Sequence, residues 1–291
     1  MNSQYQKRIE RLIKSIPKDI IDINIPRVRG RVPTQAFSEF LTHREQGDWA
    51  EWLVQDLINK SNAGIIAVKY GRTDDIISGD PKFPEFYRAY QDELDTIGKK
   101  PDLLIFKEKS YDNRIGFDVS RIENEKLDGI AKGAVAALEV RSSAFLVNKY
   151  NQYLKTKPKK SKGREFLSFT PKTEDVMVIG KWISIFGIEH FYVQVFFDKI
   201  YMIPFEKILE IISNKENKNK LFTIEENAKN QFKSTIHISV EEGICLTEGM
   251  EMPQHVSSFK ELDRGRLLFY VKFKEGTAKF KIQEFLNELK L

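Results

Sequence analysis

The chain is poor in the residues that several kinds of chemistry need. Its 291 residues include one cysteine, Cys245, and four histidines. A single thiol forms neither an internal disulfide nor a Cys-rich zinc cluster, and the composition fits a reducing, cytoplasmic compartment. His43, His190, His237 and His255 are scattered and form no HExxH or HNH arrangement, and Cys245 has no recognisable catalytic context. The absence of a Walker loop or a GxGxxG string speaks against nucleotide hydrolysis and dinucleotide chemistry. No apolar run approaches the ~18 residues of a membrane helix, so no membrane partner is expected. The first twenty residues lack the uninterrupted apolar stretch of a secretory signal.

What the chain does have is enough apolar residue, 41%, to bury a core, beside 31% charged residues and a net charge of +5. The length suits one large domain or a domain with an appendage. The charge is unevenly spread. Residues 1–46 hold nine basic and five acidic side chains, and residues 155–181 hold eight and three. Between them, residues 47–139 hold thirteen basic and eighteen acidic side chains. Metal-dependent cleavage of a polyanion needs carboxylates for the cation and positive flanks for the substrate. Ordinary scatter of solvated charge gives the same tally.

Periodicity places the elements. A helix is predicted over 6–16, ending before Pro17, and a second over 45–60, with Trp49, Leu53 and Leu57 as a stripe. Trp49 and Trp52 are read as core. Glu51 falls off that stripe, either as a solvated helix residue or as part of a site. Apolar runs predict strands at 64–70, from Asp102 to Phe106, and at 134–140. A short helix is expected over 85–94, and 107–132 reads as a polar excursion from the sheet. Thr170 as cap and Pro171 in the first turn predict a helix running to about Phe186 and stopping at Gly187. Strands at 191–197 and 199–204 and a helix at 205–213 follow, then a polar linker over 214–220. Strands at 235–240 and 266–273 and a helix at 281–290 complete the chain.

Two carboxylates stand out. Asp102 opens one buried strand and Glu139 lies near the end of the next. A carboxylate beside a buried apolar run is costly unless it is paired or bound to metal. Two of them meeting at a sheet edge can hold a divalent cation through oxygen, and such a cation activates water against a phosphodiester.

Pro101-Asp102 and Glu139-Val140-Arg141 resemble the two halves of the PD-(D/E)XK nuclease motif, with Arg where Lys is usual. Three longer strings, FLTHREQGDWAE (40–51), ALEVRSSAFL (137–146) and the segment 169–208, resemble type II restriction endonucleases of the AccI family. The resemblance spans roughly residues 37–210. It implies an α/β fold with a restriction-endonuclease-like core, a mixed central sheet flanked by helices, and helical N-terminal and α+β C-terminal additions. It implies Mg2+-dependent hydrolysis of double-stranded DNA at a short, near-palindromic sequence by a homodimer, alongside a cognate DNA methyltransferase. Asp102 and Glu139 would be metal ligands, Glu51 an accessory acid, and Arg141 would take the lysine's place. Arginine stays protonated and cannot be a general base, though it can bind the scissile phosphate. Lys172 and Lys149 are therefore further candidates for the lysine's task.

Three domains are expected: a basic arm (1–36), the nuclease core (37–210) and a C-terminal region (211–291) for recognition or dimerisation. Arg27, Arg29 and Arg31, two residues apart, would point one way from an extended loop, either onto phosphates or into solvent. Lys155, Lys157, Lys159, Lys160, Lys162 and Arg164 form a basic loop expected to contact phosphate. Ser142 and Ser143 either bond phosphate or satisfy the strand end. The rival readings are a repair or structure-specific nuclease of the same fold, and a DNA-binding module whose site has decayed.

Overall fold

Alternation with a period of two sorts the central strands into two faces, and each face finds its own helices. The computed structural model describes residues 3–72, 76–122, 124–156, 166–228, 233–263 and 265–291. The first half contains α1 (Gln4–Ser15), α2 (Ser38–Lys60), β1 (Ile65–Lys69), α3 (Phe83–Thr96), β2 (Leu103–Lys107), α4 (Asn124–Ala131), β3 (Ala136–Ser142) and α5 (Val147–Thr156). Then come β4 (Ser168–Phe169), α6 (Thr173–Phe186), β5 (Glu189–Val195), β6 (Ile200–Pro204), α7 (Phe205–Ser213), β7 (Phe222–Glu225) and β8 (Thr235–Ser239). The C-terminal part adds β9 (Ile244–Cys245), β10 (Thr247–Glu251), β11 (Gln254–Glu261), β12 (Leu267–Lys274), β13 (Thr277–Phe280) and α8 (Ile282–Glu288).

The central sheet has the order β1-β2-β3-β5-β6-β9. Its neighbours are antiparallel except β3 and β5, which run parallel. The protein is therefore α/β with a mixed sheet, as the sequence led one to expect. Leu103, Ile105, Leu138, Val140 and Val193 pack against Leu53, Val54 and Leu57 of α2 and Phe285 of α8. Leu104, Phe106, Ala137 and Tyr192 face the other layer, with Ile9 of α1, Ile179 and Ile183 of α6 and Ile208 of α7. Glu139 and Arg141 alternate with Leu138 and Val140, so strand geometry sends them to the α6 side. A parallel β3–β5 pair demands a crossover, and α6 lies within it. The chain's own connectivity thus lays α6 over the face that carries Glu139.

Helix α6 starts later than its sequence suggests. Its first residue is Thr173 and its N-cap is Lys172, so Thr170 is not the cap and Pro171 lies outside the first turn. The Pro171 carbonyl accepts from Ile236 N at 2.9 Å and Lys172 bridges Thr235, which keeps this stretch extended beside β8. Its end is as expected, with Gly187 in the left-handed conformation at φ 70°. Helix α2 reaches back to Ser38, well before residue 45. Trp49 is buried, but Trp52 is 43% exposed, against its reading as core. At 100° per residue Trp52 lies about 150° from the centre of the stripe formed by Trp49, Ala50, Leu53, Val54, Leu57 and Ile58.

The C-terminal part packs on the same sheet. Strand β9 extends its edge, and Phe273 of β12 sits 5.8 Å from Phe197 and 6.3 Å from Trp49, ring centre to ring centre. Among the described residues no helix is long and apolar enough to cross a membrane.

Candidate active site

Asp102 is positioned by backbone. Pro101 leads into β2, and the Asp102 carbonyl accepts from Tyr70 N at 2.9 Å and Gly71 N at 3.1 Å, clamping the strand entrance to the exit of β1. A Cβ on Gly71 would lie 3.0 Å from the Asp102 Cα and 3.1 Å from the Pro101 carbonyl, so a side chain there would push the two segments apart by a few tenths of an ångström. The Asp102 Oδ2 then accepts from Val140 N at 2.7 Å, which ties the carboxylate to β3 beside Glu139.

Glu139 is 1% exposed. Its Oε1 is held by Lys99 Nζ and by Arg141 Nη2 at 3.0 Å. Its Oε2 is buried and has no hydrogen-bond partner among the described residues. Asp175, in the first turn of α6, completes the group: Oδ2 accepts from Arg141 at 2.9 Å and from Lys172 N at 3.0 Å, and Oδ1 lies 3.4 Å from Lys99. Lys99, Arg141, Glu139 and Asp175 thus form a closed set of two cations and two anions.

The titration behaviour follows from this packing. Burial, then the charges of Glu139 and Glu51, push the Asp102 carboxyl well above its ordinary value. Glu51 is raised too, chiefly by burial, although Lys69 lies 3.2 Å away. Asp175 goes the other way. Burial alone would raise it, but Lys99 and Arg141 outweigh burial and hold it low. Burial and Arg141 tend to discharge Lys99, yet Asp175 and Glu139 keep it above the ordinary lysine value. Arg141 is likewise held firmly protonated against burial by Glu139 and Asp175.

Asp102, Glu139 and Arg141 are therefore brought together, with Glu51 close enough for its charge to be felt. Ser142 and Ser143 leave β3 beside Val195, where Ser143 N donates to the Val195 carbonyl at 2.9 Å. Lys172 lies at the start of α6, while Lys149 and Lys155 are exposed on α5. Arg27 does not point freely outward. It is 11% exposed and pairs with Glu174 at 2.7 Å and Asp95 at 2.8 Å. Arg29 pairs with Asp92 and Asp95, and Arg31 is exposed. Lys157, Lys159, Lys160, Lys162 and Arg164 lie outside the described residues. Sequence reasoning missed Lys99 and Asp175. Lys99 stands three residues before Asp102, and Asp175 read only as an acid suited to a helix start.

Among the described residues no group of three or more His, Cys, Asp or Glu side chains forms a ready-made metal cage. Asp102 and Glu139 do offer oxygen donors, with the Glu139 Oε2 uncommitted. That suits Mg2+, which takes one or two carboxylates and fills its other positions with water and substrate phosphate.

No curated protein and no solved structure matches the chain. The family model described as the AccI restriction endonuclease does, over residues 3–163 and 152–291. Those two segments run through both sheet faces and every residue of the acidic and basic cluster. The protein belongs to the AccI restriction endonuclease family, whose activity makes it a nuclease acting on DNA.

Proposed function

We propose that the protein is a type II site-specific deoxyribonuclease with a PD-(D/E)XK core, cutting double-stranded DNA with Mg2+ at Asp102 and Glu139. The observation that carries this reading is the pair itself. Asp102, half-buried at the entrance of β2, is tied to β3 by the hydrogen bond from Val140 N, beside the buried Glu139, one of whose oxygens has no partner among the described residues. Held by Asp102 and Glu139, Mg2+ would supply an acidified water and would neutralise charge on the phosphate under attack. The side chains do the rest. Asp102 and Glu139 would hold the cation, with Glu51 near enough for its charge to be felt at Asp102. Arg141 and Lys99, both held protonated, bind the phosphate and stabilise the charge that builds on its oxygens. Neither is a general base in this state. Lys99, whose ammonium pairs with Glu139, is a better candidate for the lysine's task than Lys149 or Lys172.

In this reading residues 37–210 carry the chemistry, and residues 211–291 serve recognition or dimer contacts. A homodimer would address both strands of a near-palindromic site, with a cognate methyltransferase protecting the same sequence elsewhere. Purified protein incubated with plasmid and Mg2+ should give discrete fragments, and Asp102→Ala and Glu139→Ala should give none. A smear or structure-dependent nicking points to a repair nuclease, and binding without cleavage to a decayed site. Either variant cutting as fast as the parent would falsify the site.

A further inference from the structure

Arg141 also lines a cavity of about 230 Å3 to which Asp102 does not contribute. Lys99, Arg141, Lys172 and the exposed Lys233 line it together with Gly30, Tyr87 and Tyr90. The acids at its edge are already engaged. Glu174 is bound by Arg27 at 2.7 Å, and Asp175 is bound by Arg141 at 2.9 Å and Lys99 at 3.4 Å. Lys172 and Lys233 have no carboxylate within 4.0 Å among the described residues.

Like charges gathered around a partly enclosed space repel one another, and an anion between them removes that cost. The Lys172 ammonium shows the crowding: burial presses it below its ordinary value, Asp175 opposes this, and the charges of Arg141, Lys99 and Lys233 add to the lowering. At ~30 Å3 per water, the space takes a phosphate group and a few waters. Tyr87, Tyr90, Leu94 and Val178 line it too, and the four cationic side chains among them are what favour an anion.

We propose that this cavity is a subsite for one backbone phosphate of the DNA strand, gripped by Lys172 and Lys233 next to the phosphate at Arg141 and Lys99. The proposal rests on the nuclease reading and adds to it a second contact that fixes the register of the strand without reading its bases. Gly30 lines the subsite: a Cβ there would displace the Tyr87 hydroxyl, which it meets at 2.7 Å, and would come to 3.5 Å from the Lys233 ammonium.

The test is the salt dependence of duplex DNA binding by the full chain in EDTA, where nothing is cut. Each phosphate contact contributes about 0.9 to the slope of log affinity against log salt. The double variant Lys172→Gln/Lys233→Gln should lower that slope by about one. Gly30→Asp, which sets a carboxylate beside Lys233 and leaves both lysines in place, should lower it similarly. Lys215→Gln, which removes a cation paired with Asp19 outside the cavity, should leave it unchanged. An unchanged slope in both cavity variants, with thermal midpoints like the parent's, overturns the subsite and leaves the nuclease reading standing. A fall of about two in the double variant means two separate phosphates and overturns the single-phosphate cavity. A parent that binds no DNA at any salt overturns the nuclease reading itself.

Discussion

The two sides of Arg141 are opposites. Toward Asp102, carboxyl groups crowd one another: Asp102 and Glu51 are both raised, each partly by Glu139. Toward Lys172, cationic groups crowd one another, and Lys172 is lowered by burial and further by Arg141, Lys99 and Lys233, against the pull of Asp175. Between them stands a neutral set, Lys99, Arg141, Glu139 and Asp175, in which every charge has an opposite neighbour. The difference teaches how a nearly neutral site handles a charged substrate. Excess negative charge on one side suits a metal cation and excess positive charge on the other suits a phosphate. The balanced centre keeps both cations protonated.

The sharpest way to break this contrast is to neutralise the acidic side. Asp102→Asn should reduce plasmid cleavage by roughly 10³-fold or more, since it removes the anchor for the charge-stabilising cation. The same change should raise the thermal midpoint in EDTA. The sign follows from the raised Asp102 pKa: the folded state holds that proton more tightly than the unfolded chain does. Its contribution is complete below the ordinary carboxylate range and is lost as pH rises toward the elevated value. Asp102→Asn should therefore flatten the fall in stability above that range, and a denaturation series against pH will show it. An unaltered pH dependence would mean that Asp102 is not crowded.

Breaking the neutral centre comes next in size. Lys99→Met should cut the cleavage rate about 10²-fold and destabilise the fold by roughly 3 kcal/mol, because Glu139 and Asp175 lose a partner inside the protein. Urea unfolding measures the second effect separately from activity. If Lys99→Met cleaves normally, Arg141 alone suffices and Lys99 serves only the fold. A smaller, geometric perturbation is Gly71→Ala. Its Cβ would press on the Asp102 Cα and the Pro101 carbonyl, costing about 1–3 kcal/mol and displacing the carboxylate. A variant with full stability and full activity would show that this approach is not needed. Smallest of all is Trp52→Ser, which should change stability by less than about 0.5 kcal/mol because the ring is exposed. Trp49→Ala should cost ~3 kcal/mol or more in the same urea titration.

Much of this was legible because it depends on local pattern. The apolar runs of β2 and β3, the helix ending at Gly187, and helix α7 at Phe205–Ser213 all announce themselves within a dozen residues. Asp102 and Glu139 drew notice by lying beside such runs. The start of α6 was misread because Pro171 and Lys172 are held extended by β8, a strand some sixty residues away, and local cap signals do not register such a partner. Trp52 was misread because a tryptophan's composition says core while its angle round the helix says surface, and the angle decided.

By itself the sequence determined which residues would share a face. A period of two put Glu139 and Arg141 on one side of β3, and no arrangement of the remaining chain could separate them. Which charges would meet them was decided only in three dimensions. Lys99 reaches Glu139 across 40 residues and Asp175 across 76. Those contacts exist because β2 pairs with β3 and because the crossover lays α6 over that strand. Coulomb energy in a poorly polarisable interior depends on distance in space and is indifferent to distance along the chain. The charges that set each carboxyl's state were therefore visible one by one in the sequence, and their balance was settled by the fold.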